Sequence, residues 1–274
     1  MSDWGQGVVN NTIEWGRGST NNSIGWGSVY ADSPSGDTAL ENAGFTNTYS
    51  MSFDGVSTYV DCGVLSSLNS LTEASISLWV YLDDSAANYV VSQWEGVGGS
   101  GDNRQFALLI KPSDNRIDVY FGSSVTYRST AIPLNTGQWY NIVATYNASN
   151  SPNAEKTLVY VNGTKYIQTV GYNSPSSLKS SPSTSWQIGK RGGYSYEVTE
   201  GEIDEVAIFN KELSQSEVTA IASGPADLTG HSGITNWWRM GDNDSILGTT
   251  ITDEVGSNNG TLINTPTFST NVPT

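Results

Sequence analysis

Ser75-Ile76-Ser77-Leu78-Trp79-Val80-Tyr81-Leu82 decides the fold class. Ile76, Leu78, Val80 and Leu82 alternate with Ser75, Ser77, Trp79 and Tyr81, and this period of two turns successive side chains to opposite faces of a strand. One face is aliphatic, as a core face must be. The other carries Trp79 and Tyr81, which predicts that it is covered as well. Residues 89–94, 105–111, 116–121, 138–146, 156–162, 165–170, 185–189 and 202–209 read as further strands. Asn162-Gly163 between two alternating runs is a two-residue hairpin signal, because both residues tolerate positive φ. Asp114-Asn115 is a weaker turn of the same kind. Many short strands at this spacing predict an all-β fold, a two-sheet antiparallel jelly-roll sandwich. One short helix interrupts the pattern. Ser214-Gln215-Ser216-Glu217 is a capping box, Leu213 and Val218 stand at the hydrophobic-staple positions, and Gly224-Pro225 ends the helix.

The 274 residues are room for one large domain or two small ones. With 14% charged residues and 29 glycines the chain is no coiled coil, and no apolar run is long enough to cross a bilayer as a helix. Met1–Gly7 lack the basic start and apolar core of a secretory signal. Net charge is −15, from 27 acids against 12 bases, which repels a phosphate backbone and excludes nucleic acid as a natural partner while favouring cations. The single cysteine, Cys62, forms no internal disulfide and reads as a small buried hydrophobe. The single histidine, His231, makes a His-based zinc site or a catalytic triad improbable.

Three zones follow along the chain. Residues 1–44 hold an eleven-residue repeat, W-G-x-G-x-x-N-N-[ST]-I-x. Its large apolar residues are Trp4, Ile13, Trp15, Ile24 and Trp26. A unit this small has no second layer, so the repeat predicts an extended N-terminal attachment or oligomerisation arm that docks on another surface. The alternative is a low-complexity linker. Residues 45–224 carry the strands of the jelly roll. Residues 225–274 are too few for a separate core. They hold Trp237-Trp238-Arg239-Met240-Gly241-Asp242 and then Thr252-Asp253-Glu254-Val255-Gly256-Ser257-Asn258-Asn259-Gly260-Thr261-Leu262. The expectation is strands that complete the sandwich of this chain or of a neighbour.

The central zone resembles the laminin-G-like, concanavalin-A-like jelly-roll family. The resemblance rests on Ser52-Phe53-Asp54-Gly55-Val56-Ser57-Thr58-Tyr59-Val60, Ile76–Val80, Gln138–Tyr146, Leu158–Gly163 and Gly201–Asn210 followed by the capped helix. These segments stand in the family's order over residues 49–223. The resemblance implies a curved two-sheet sandwich, often with bound calcium, used for glycan or protein binding. One departure stands out: the W-x-x-x-G-D … D-x-x-G-x-x-x-x-G-x-L element that usually precedes the Phe-Asp-Gly turn comes after the helix here, from Trp237 to Leu262, which reads as a permuted element. Residues 1–38 and 233–264 also resemble structural proteins of tailed bacteriophages of the marine type.

Candidate sites follow from these readings. Glu202 and Asp204 share a strand face while Glu205 points the other way, so the two-carboxylate arrangement of a laminarinase-type glycosidase is incomplete, and the chain reads as no enzyme. Asp54 and Asp204 are the positions carried over from the family as calcium ligands. The competing reading makes Asp54 an Asx-turn residue and gives Asp204 backbone N–H bonds. Trp94, Trp186, Tyr194 and Tyr196, beside the loop-like segments 96–101 and 191–200, are candidates for stacking on sugar rings, against ordinary packing under long loops. The Asn-x-Ser/Thr triplets carry no information without a secretory context.

Together these readings favour a non-enzymatic virion component on the particle surface, such as a capsid decoration or tail-fibre protein. Its arm would hold it to other virion proteins and to copies of itself, and its lectin-like jelly roll would be displayed toward host-surface glycans, with no membrane insertion. The alternative is a soluble carbohydrate-binding module acting alone. A degenerate polysaccharide-degrading enzyme is the third reading.

Overall fold

A computed structural model describes residues 44–94, 105–122, 126–129, 131–166, 168–170, 175–180, 183–193 and 197–274, without the side chains of 126–129 and 168–170. The repeat arm, with Trp4, Ile13, Trp15, Ile24 and Trp26, lies outside the described residues. In chain order the strands are β1 (Ser50–Asp54), β2 (Tyr59–Asp61), β3 (Glu73–Leu82), β4 (Asn88–Gln93), β5 (Phe106–Lys111), β6 (Arg116–Phe121), β7 (Thr126–Ser129), β8 (Trp139–Asn147), β9 (Thr157–Val161), β10 (Thr164–Tyr166), β11 (Gln168–Val170), β12 (Trp186–Ile188) and β13 (Glu200–Phe209). After helix α1 (Gln215–Ile221) come β14 (Ile234–Trp238), β15 (Met240–Asn243), β16 (Thr250–Ile251), β17 (Gly260–Ile263) and β18 (Thr267–Ser269).

Among the described residues these form two antiparallel sheets. The first runs β10-β9-β8-β3-β13-β1-β18, with β14 paired to β13. The second runs β11-β7-β6-β5-β4-β12-β2-β17-β16. The stretch that reads as one strand over 165–170 divides between them, β10 pairing with β9 in the first sheet and β11 with β7 in the second. The C-terminal segment pairs within this chain. β14 extends along β13, β17 lies beside β2 and β18 beside β1.

The alternation in β3 holds as read. Ile76, Leu78, Val80 and Leu82 enter the core between the sheets with Ile142, Val119, Phe106 and Trp238. The outer face of the first sheet has its own cover. Leu213, Val218, Ile221, Leu228 and Trp237 pack on Val143, Leu158, Ala207 and Phe209. Trp79 is buried there and shares a cavity of about 10 Å³ with Glu205, Ile221, Pro225 and Leu228. The cover stops short of the end of the sheet, and Tyr81 stays half-exposed.

Helix α1 begins as its sequence dictates. The Ser214 hydroxyl accepts the Glu217 N–H, and the Glu217 carboxylate accepts the Ser214 N–H at 2.8 Å. Burial pushes the Glu217 carboxyl up, but bonds from Lys211 and Ser214 outweigh it and hold the group below its ordinary range. Ser214→Ala is expected to cost about 1 kcal/mol, read as a lower urea midpoint at unchanged slope. A variant as stable as the parent would show that packing of Val218 and Ile221 alone sets this helix.

Candidate functional site

Strand register assembles a line of side chains that no single stretch of sequence contains. Trp139 of β8 stands opposite Tyr81 of β3, Tyr81 opposite Glu202 of β13, Glu202 opposite Ser52 of β1, and Ser52 opposite Thr267 of β18. Directly opposed residues share a face, so all five project outward beyond the apolar cover of the first sheet, on the side along which the C-terminal tail runs. At about 4.8 Å per strand the row is roughly 19 Å long. Thr267 is exposed and the other four are half-buried. The Trp139 and Tyr81 rings lie 5.7 Å apart, tilted by 56°.

The C-terminal tail fixes the row. The Glu202 carboxylate accepts the Ser269 hydroxyl at 2.6 Å and the Asn271 amide. The Trp139 indole N–H donates to the Asn271 side-chain oxygen at 3.3 Å, and the Ser50 hydroxyl holds the Asn271 carbonyl at 2.7 Å. The result is two aromatic rings, one oriented carboxylate, one carboxamide and two hydroxyl-bearing positions along one edge. The parity of β3 marks Tyr81 as outward-facing. Nothing in the sequence brings Trp139, Glu202, Ser52 and Thr267 beside it, because strand order is a tertiary property.

The next row inward, Asn141, Trp79 and Asp204, is buried. Here β13 carries a bulge between Asp204 and Ala207, with Glu205 in the left-handed region at φ 51°. The bulge corrects the expectation that Glu205 points away from Asp204. Ile203 and Val206 both enter the core, and the two acids between them share the outer side. Asp204 accepts the Asn47 amide and the Glu205 N–H, each at 2.9 Å. Glu205 accepts the Trp237 indole N–H at 2.6 Å and the Arg239 Nε–H at 3.3 Å. The Arg239 guanidinium also reaches Asp242 at 3.2 Å and stacks over Phe45. Burial, reinforced by the neighbouring Glu205, holds the Asp204 carboxyl well above the usual carboxylate range. Burial also pushes Glu205 up, to about 7, against the opposing pull of Arg239 and Trp237. These acids tie the entering chain at 46–48 and β14–β15 to β13. They are out of reach of a substrate.

The structure does not bring the two expected calcium ligands together. Asp54 stands opposite Glu200, and Asp204 is four residues further along β13, about 13 Å away by strand rise. The Asp54 Oδ1 accepts the N–H groups of Val56, Ser57 and Thr58 and the Thr58 hydroxyl, an Asx-type turn. Burial raises this carboxyl, but those donors together outweigh it and pull the group down to about 2. The Asp204 oxygens each hold one donor, the Asn47 amide and the Glu205 N–H, within the buried network. Among the described residues no group of three or more His, Cys, Asp or Glu side chains converges on a metal position.

The aromatic candidates also move. Trp186 lies in β12, within the stretch 185–189 that reads as a strand: its backbone pairs with Gln93, and its ring is fully buried and stacked on Phe106 at 5.6 Å. Trp94 is only 6% exposed. The Arg191 guanidinium covers one face at 3.8 Å, and Tyr120 meets the ring edge-on at 5.1 Å. Neither ring offers a free face to a sugar. Tyr194 and Tyr196 lie outside the described residues.

The family model described as the concanavalin A-like lectin/glucanases superfamily matches residues 54–219. No curated protein matches the chain. Among solved structures, a candidate carbohydrate-binding protein of Bacteroides ovatus shares 20% identity over 84% of this chain, with a TM-score of 0.61. The chain spans 62% of the length of that protein. A heptameric SAP-like pentraxin of Limulus polyphemus gives 16% identity over 64% of this chain and 82% of its own, at a TM-score of 0.49. The CBM40 of the Ruminococcus gnavus IT-sialidase, bound to α2,3-sialyllactose, gives 14% over 65% and 100%, at 0.47. The two-sheet sandwich, the capped helix after β13 and the family match over more than half of its length agree: the chain belongs to the concanavalin A-like lectin/glucanases superfamily.

Proposed function

We propose that the chain is a carbohydrate-binding module that takes a glycan along the Trp139–Tyr81–Glu202–Ser52–Thr267 row. The observation that carries this reading is the row itself: two half-exposed rings in line with an oriented carboxylate and two hydroxyls. A ring face receives the apolar face of a sugar, and the fixed polar groups beside it take the hydroxyls. Membership of a lectin/glucanase superfamily supports it, as does the likeness to the Bacteroides ovatus protein. The module binds without cleaving. On β13, Asp204 and Glu205 are buried and engaged, and the exposed Glu200 lies two residues from Glu202 on the same face; Glu202, held by Ser269 and Asn271, serves here as an acceptor for sugar hydroxyls rather than as one of a hydrolytic pair.

The particle-attachment reading drew on residues 1–38 and 233–264. The second stretch works inside this sandwich, where Trp237, Arg239 and Asp242 anchor β14 and β15 to β13 and to the entering chain. Its role here needs no assembly. The first lies outside the described residues, and the family match together with the likeness to the Bacteroides ovatus protein supports the stand-alone module.

Trp139→Ala is expected to weaken binding to retained polysaccharides about tenfold in affinity electrophoresis, with Tyr81→Ala close behind, since loss of a ring contact worth about 1.4 kcal/mol is a tenfold change in affinity. Unchanged retention, in variants that still unfold cooperatively, would rule the row out.

A further inference from the structure

We infer that this row selects uncharged, hydroxyl-rich glycan chains and rejects anionic ones, an inference that rests on the binding reading above. The five strands that build the row, β8, β3, β13, β1 and β18, contain no lysine or arginine. Nor does the tail from Thr270 to Thr274 that locks Glu202 and Trp139. Acids border it instead. Asp83 is exposed just past Tyr81, and Glu200 and Asp54 are exposed opposite one another two residues beyond Glu202 and Ser52. Recognition of a sugar carboxylate or sulfate relies on guanidinium or ammonium partners. Cations with ion-pair partners in the described residues are engaged elsewhere: Arg116 with Asp118, Lys165 with Glu155, Arg191 with Glu197, Lys211 with Glu217 and Arg239 with Glu205.

Glu202 is the discriminating group. A carboxylate accepts hydrogen bonds at about four lone-pair positions and donates none. Ser269 and Asn271 supply two donors and fix its plane. The remaining positions call for O–H donors from the ligand, which neutral sugars carry on adjacent carbons. A ligand anion at the same place brings repulsion and no donor. The row crosses five strands, so binding strengthens with chain length until the row is filled.

The test is an array of neutral polysaccharides set beside polygalacturonate and its methyl ester, hyaluronan, sialyllactose conjugates and sulfated galactans. The full chain, Glu202→Gln and Trp139→Ala are each applied at low salt and at high salt. The expected result is binding to neutral chains that depends on Trp139, with anionic chains at least tenfold weaker. Glu202→Gln and high salt should each narrow that gap, since screening weakens exposed charges. Preference for anionic chains, or Trp139-dependent binding blind to charge, overturns the selectivity and leaves the binding reading intact. A gap unchanged in Glu202→Gln overturns the role given to that residue. No binding by any glycan defeats both.

Discussion

Replacing Asp253 with alanine is expected to lower the unfolding free energy by about 4 kcal/mol, because one carboxylate satisfies five donors. Its Oδ1 accepts the N–H groups of Trp237 at 3.0 Å, Gly256 at 2.9 Å and Val255 at 3.4 Å. Its Oδ2 accepts the Asn236 amide at 2.6 Å and the Asn258 N–H at 3.0 Å. The residue is 5% exposed, so water cannot reach all five once the acceptor is gone. Each buried donor left unpaired costs about 1–3 kcal/mol, less where the turn relaxes into solvent. Release of the 253–258 turn frees β14, which carries Trp237 and Trp238. Asp253→Asn keeps the shape but turns one acceptor into a donor facing an N–H, and should cost about half as much. Urea unfolding of the three proteins measures this. A loss under 1 kcal/mol in the alanine variant would mean that the Trp237–Trp238 packing holds the turn without its knot.

The same segment shows how much of the fold is readable from sequence. The spacing Asp253-x-x-Gly256-x-x-x-Gly260 is visible; the reason for Gly256 is local, whereas Gly260 makes room for β2. A Cβ at Gly256 would lie 2.4 Å from Asp253 Oδ2, and one at Gly260 would lie 2.4 Å from Val60 Cγ1. The capping box at Ser214 and the inward face of β3 are legible for the same reason: they depend on neighbours in sequence. The candidate site depends on neighbours in space. Trp186 sits in a stretch that reads as a strand, yet only its pairing with β4 and β2 turns its ring into the core rather than toward a ligand. The bulge at Glu205 uses a non-glycine residue at positive φ, which leaves no mark in the sequence and reverses the face that alternation assigns. The Trp139–Thr267 row takes one residue from each of five strands, and their order, β8-β3-β13-β1-β18, follows from pairing rather than from spacing.

The buried acids of that bulge set the second large effect, a stability that falls as pH rises from 5 to 8. The Glu205 carboxyl titrates near 7 in the folded protein and near 4.5 when unfolded. Between those values the folded state keeps a proton that the unfolded chain has released. Unfolding then gives up protons, and stability decreases with pH. The contribution is fully present below about pH 4.5 and gone above about pH 7. A shift of this size corresponds to about 3 kcal/mol. Asp204, also raised by burial, acts with the same sign. Asp54 is depressed, so its contribution is present above its unfolded value and is lost only as pH falls through about 2, outside this window. The melting temperature should therefore peak on the acid side and decline toward pH 8. Glu205→Gln keeps one oxygen, for either the Trp237 indole or the Arg239 guanidinium, but cannot ionise, and should remove at least half of the decline. Arg239→Met should steepen it, because Glu205 would then lose the cation that opposes the upward push of burial on its carboxyl. Melting curves at constant ionic strength across this range decide the matter. A parent protein whose stability is flat or rises from pH 5 to 8 would place the Glu205 proton elsewhere, and a Gln variant with the parent's slope would do the same.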